Sequence, residues 1–186
     1  MHVASLWLVT YVLPALITGG ALQFFSRHHP SRPKCDALII HAGLAVSILA
    51  NHYAFHVLGF AFPWYPHLLS ILTYAASMFF AMYMLGIFGM WYSLSAFLQQ
   101  LTILSISFLL LHELPLFLVL LLVVPLFALG HTQNVQQRRM RIAVLSLWGV
   151  ASITLFTILS DVYLLAALHT LLGTIGIRRS IVYPMK

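Results

Sequence analysis

Seven apolar runs, each closed by a polar or proline-containing break, leave this chain few ways to fold. The first, 3–25, ends in a basic stretch from Arg27 to Lys34 that holds Pro30 and Pro33. The second, 37–62, stops at Pro63-Trp64-Tyr65-Pro66. The third, 68–90, pauses only at Trp91-Tyr92-Ser93 before the fourth, 94–111, which His112-Glu113-Leu114-Pro115 closes. A short fifth run, 115–130, precedes the longest polar stretch, Thr132 to Arg141. The sixth, 142–159, breaks at Ser160-Asp161, and the seventh, 162–177, leads into a tail with Arg178, Arg179 and Lys186. A helix crosses a bilayer with about 20 apolar residues. Runs of this length predict a polytopic transmembrane helical bundle, all-α, in one domain over residues 1–186.

Composition excludes the other classes. Hydrophobic residues make up 62% of the chain and charged residues 6%, against about 25% charged in soluble domains. So few charges cannot solvate a globular surface, and so apolar a chain is not disordered. The single cysteine, Cys35, excludes an intrachain disulfide framework or a cysteine-based zinc site. The net charge of +6 is not read as a nucleic-acid signal, because the basic residues sit between the apolar runs. Topology and anionic lipid headgroups are the better reading.

The charges also test the span count. Arg27, Arg32 and Lys34 fall in the first loop, Arg138, Arg139 and Arg141 at the fifth, and Arg178, Arg179 and Lys186 in the tail. With seven spans all nine basic residues lie on one side, while Glu113 and Asp161 lie on the other. Lys and Arg are retained in the cytoplasm, so the N-terminus is expected outside and the C-terminus inside. Six or eight spans spoil this sorting. The first span lacks a basic leader and precedes positive charge, which reads as an uncleaved anchor.

Polar groups in hydrocarbon cluster and mark function. Span two carries His41, His52 and His56 on one face, since at about 100° per residue their positions differ by only about 20° and 40°, with Asn51 beside them. Imidazoles ligate haem iron, chlorophyll magnesium or copper; interhelical hydrogen bonding accounts for the same stripe. Gln99 and Gln100 open span four, His131 closes span five, and His169 lies well inside span seven, where it requires a partner. Followed along the spans, these last groups converge on the inner half of the bilayer. Trp64, Tyr65, Trp91 and Tyr92 fall at span ends, as interfacial aromatic belts do. Gly86 and Gly89 have the wrong spacing for a small-residue helix seam. The basic, amide-rich segment from His131 to Arg141 suits either a plain positive-inside loop or a contact with headgroups or a partner.

The order of these residues resembles the CAAX-protease and bacteriocin-processing family of intramembrane glutamic proteases, also called the Abi family. The resemblance covers roughly residues 90–177. Phe127 and His131 match that family's Phe-x-x-x-His helix, within Leu126-Phe127-Ala128-Leu129-Gly130-His131. His169 matches a later His-x-x-x-Asn helix, with Gly173 where Asn is common. Gln99 and Gln100 stand in place of the Glu-Glu pair, and Leu104 in place of Arg. The resemblance implies a site made by Gln99, Gln100, His131 and His169, flanked by Phe127 and Gly173. The family's glutamate activates water; a glutamine cannot take a proton at neutral pH. The expectation is therefore a non-catalytic member that binds a hydrophobic peptide or another membrane protein, with membrane lipid around it, no nucleic acid, no metal and no cofactor. Two alternatives stand beside it. One is a protease of the same type inactivated by Glu-to-Gln changes. The other is a haem-, chlorophyll- or copper-binding subunit of a membrane complex, built on His41, His52 and His56.

Overall fold

The computed structural model describes residues 5, 7–26, 32–63, 66–130 and 138–180. Among them every regular element is helical. A π-helical turn, Leu8–Val12, leads into α1 (Leu13–Ser26). There follow α2 (Arg32–Leu58), α3 (Leu68–Leu85), α4 (Ile87–Leu111), α5 (Leu116–Gly130), α6 (Arg138–Leu159) and α7 (Val162–Ser180). Four stretches are long and apolar enough to cross a membrane: Leu38–Leu58, Leu68–Leu85, Ile87–Leu111 and Ile142–Leu159. Leu8–Gly19, Leu116–Leu129 and Val162–Arg178 are shorter apolar helices. Every residue of α4 from Leu101 to Ser107 is buried, Thr102, Ser105 and Ser107 included.

The chain forms two compact units. One comprises Met1–Phe62 with Thr102–Ile158, the other Pro63–Leu101 with Leu159–Lys186.

In the first unit α1 packs along α2. Gly43 allows this approach, because a Cβ there would fall 2.0 Å from Thr18 Oγ1. The buried Tyr11 hydroxyl donates to the Val123 carbonyl at 3.3 Å. Between α2 and α4 the Asn51 amide donates to Ser105 Oγ at 2.8 Å. Further along, Phe55 meets Phe108 with ring centroids 5.8 Å apart, and Phe60 stacks on His112 at 4.0 Å. These contacts advance together along the sequence, so α2 and α4 run parallel. The second apolar run was expected to be helical to residue 62, but α2 ends at Leu58. Gly59, at φ 69°, turns the chain into a left-handed conformation that stops the helix. Phe62 thereby folds back among Phe55, Phe108 and Phe156, at 5.5, 5.7 and 5.5 Å.

In the second unit α3 packs along α7. The Ser70 hydroxyl donates to the Asp161 carboxylate, Tyr74 meets Tyr163 edge-on at 6.2 Å, and the Arg178 guanidinium reaches the Met84 sulfur. These contacts also advance together, so α3 and α7 are parallel. The break between the third and fourth apolar runs, expected at Trp91-Tyr92-Ser93, lies at Gly86. Gly86 takes φ 64°, and its N–H bonds the Met82 carbonyl to close α3. One residue thus separates α3 from α4, and Tyr92 sits inside α4 rather than between helices. Gly89 makes so short a turn possible, because a Cβ there would lie 2.0 Å from the Ala81 carbonyl oxygen.

Candidate functional site

The second unit holds a buried polar group built on α4 and α7. Its placement begins at the start of α7. Ser160, at φ 50°, breaks the chain after α6. Asp161 then caps α7, its carboxylate accepting the Leu164 N–H at 3.0 Å, which satisfies one of the helix's orphan donors. The Ser70 bond to the same carboxylate ties the α7 start to α3. Below it Tyr74 donates to the Ser93 carbonyl at 3.0 Å, and Phe97 packs on Tyr74 and Tyr163 at 5.3 and 5.2 Å. These contacts set α3, α4 and α7 around a common interior.

Two turns into α7 stands His169, 6% exposed, and opposite it Gln100, fully buried. The Gln100 Nε2 amide lies 3.0 Å from His169 Nδ1. An amide nitrogen only donates, so Nδ1 accepts and the imidazole proton resides on Nε2. Gln100 Oε1 is buried with no hydrogen-bond partner among the described residues. One turn past His169, Gly173 leaves a notch. A Cβ there would fall 1.5 Å from the Tyr92 hydroxyl oxygen, so the phenol end occupies the space a side chain would take. The Tyr92 ring stands edge-on to the His169 ring, centroids 6.4 Å apart. On the same stretch of α7 the Thr170 and Thr174 hydroxyls are fully buried and lack partners.

The sequence-predicted residues divide as follows. Gln100 and His169 meet. Gln99 is half-buried, since consecutive helical residues diverge by about 100°; the two amides do not act as one pair. Gly173 joins the site as a notch for Tyr92, which sequence reasoning had placed at an interface. Phe127 belongs to the other unit, where its ring lies 3.4 Å from the position of a Gly149 Cβ. His131, Gln133 and Asn134 lie outside the described residues. On α2, His52 and His56 are exposed and His41 half-buried, whereas Asn51 turns to the buried side with Ser47, Ala54 and Phe55. Among the described residues no group of three or more His, Cys, Asp and Glu side chains is placed to hold a metal ion.

Chemically the site is a set of neutral donors and acceptors. The Gln100 amide and the His169 ring are joined through Nδ1. Asp161 is two helical turns from His169, about 12 Å along the axis. Glu113 is exposed at the far end of α4.

No family model matches the chain, nor does any curated protein or solved structure.

Proposed function

We propose that this chain is a seven-span integral membrane protein, N-terminus outside and C-terminus inside, that binds a hydrophobic peptide or membrane partner without cutting it. Parallel running of α2 with α4, and of α3 with α7, supports the span count. In a chain that alternates direction at each crossing, second and fourth spans must be parallel, as must third and seventh. The sorting of all nine basic residues onto one side supports the orientation.

The observation that carries the binding reading is the Gln100–His169 hydrogen bond. Two polar residues that resemblance to the CAAX-protease and bacteriocin-processing family assigns to one site lie 69 positions apart in sequence and are paired in an apolar interior. Where that family has a glutamate, Gln100 supplies an amide that donates one N–H to the histidine and whose oxygen has no partner among the described residues. Such a group recognises; it does not activate water. The test places the full-length protein in lipid nanodiscs with an oligoleucine peptide bearing a photo-crosslinker. Capture with intact peptide is the expected result. Cleavage by the chain as it stands, or no capture at saturating peptide, overturns the reading. Cleavage gained only by the Gln99→Glu/Gln100→Glu variant would instead identify a disabled protease.

A further inference from the structure

We propose that the open oxygen of Gln100 and the hydroxyl of Tyr92 together receive a neutral amide group carried by an apolar ligand. This deepens the binding reading above and rests on it. Gln100 is 0% exposed, and its Oε1 is without a donor, although its own Nε2 is fixed on His169. A buried acceptor left unpaired in an apolar interior is unfavourable, so the oxygen favours any ligand that brings a donor to it. The donor is neutral. An ammonium or guanidinium at so buried a position would lose its hydration.

Tyr92 narrows the class further. Its hydroxyl is held in the Gly173 notch, a helical turn from His169. That places a second donor about one turn of α7 from His169, the residue to which the Gln100 amide is bonded. Ketones and quinones offer only acceptors and would leave Gln100 Oε1 unpaired. A secondary amide offers an N–H to Gln100 and a carbonyl to Tyr92, and it is the polar group that recurs in apolar peptides and in amide-linked lipids. An ester of the same shape lacks the N–H.

The amide-to-ester exchange is therefore the decisive measurement, made on the full chain in nanodiscs. The probes are the oligoleucine peptide, its analogues with one amide replaced by an ester at successive positions, and ceramide beside its ester counterpart. At one position the ester is expected to bind about tenfold more weakly, the size of one lost buried hydrogen bond. In Gln100→Leu that difference is expected to vanish, and Tyr92→Phe, which keeps the ring in its notch, is expected to weaken amide and ester alike. If wild-type protein binds the peptide but treats every ester as it treats the amide, the amide inference is overturned while the peptide reading stands. That comparison needs no variant to fold. Binding of ceramide with the ester penalty, but not of peptide, supports the amide site and overturns the peptide reading. Binding of neither probe overturns both.

Discussion

At the scale of single residues, the buried polar contacts are pairs in which one partner is indispensable to the other. Gly173 and Tyr92 are the tightest case. Gly173→Ala puts a methyl 1.5 Å from the Tyr92 oxygen, so the phenol must leave the notch. The expected cost is about 1–3 kcal/mol, the range for overpacking. Tyr92→Ala removes the obstacle, so the double variant should be less destabilised than the two single costs add to, read as midpoints of denaturation in detergent. Additive costs would show that the two residues are not coupled. Asn51 and Ser105 make the complementary case. Ser105→Ala strips the Asn51 amide of its hydrogen bond to Ser105, and Asn51 Oδ1 has no partner among the described residues. A loss of about 1 kcal/mol is expected, the size of an interhelical hydrogen bond in a membrane protein. Adding Asn51→Leu should recover part of it, since an apolar side chain leaves nothing unsatisfied. No recovery would mean that Asn51 is held by something other than this bond.

At the scale of elements, glycines decide where helices stop and how closely they approach. Gly86 adopts a backbone conformation, φ 64° and ψ −149°, that side chains avoid, and Gly86→Ala should cost about 1–3 kcal/mol through the backbone alone. Gly89→Ala should also destabilise, because the obstacle is the Ala81 carbonyl, which is backbone and cannot swing aside. Gly176 is the control: a Cβ there meets nothing within 4 Å, so Gly176→Ala should be neutral or stabilise by about 0.5–1 kcal/mol. Thermal melts of the three variants in one detergent check the ordering; equal effects would remove the structural basis given to Gly86 and Gly89. The same positions explain what the sequence made legible. Breaks at Pro63, at His112-Glu113-Leu114-Pro115 and at Ser160-Asp161 are written in residues that cannot continue an apolar helix. The break at Gly86 is not, since the residues on both sides are apolar and the aromatic pair five residues on imitates a membrane interface. Once that boundary moves, Tyr92 moves with it, from a belt to the interior of α4. Its seat on Gly173 is a fit between residues 81 positions apart in sequence, which no local pattern encodes. His169 was legible as a buried group needing a partner. That Gln100 and not Gln99 provides it depends on the rotational phase of α4 against α7.

At the scale of the whole molecule, direction is the property that binds sequence and structure together. The basic residues divide three, three and three among the first loop, the fifth loop and the tail, segments that share one side under the proposed seven crossings. The pairs α2 with α4 and α3 with α7 run parallel for reasons of side-chain contact that owe nothing to charge. Both features fit the proposed seven crossings, although Val162–Arg178 and its two short counterparts are shorter than a full span. Helices of that length are accommodated when the bilayer thins or their flanking residues reach to the interface. The consequence is accessible to labelling. In a variant with Cys35 replaced by serine, a cysteine at Glu113 should react with a membrane-impermeant maleimide in intact cells. A cysteine at Lys186 should react only after the membrane is opened, as should native Cys35 in the unmodified chain. Reaction of the Glu113 and Lys186 positions from the same side would break the alternation and, with it, the assignment of the Gln100–His169 site to the inner half of the bilayer. Opposite sidedness with Cys35 outside would keep the odd number of crossings between Glu113 and the tail but require an even number between Cys35 and Glu113, so that one of α2, α3 and α4 would not cross the membrane.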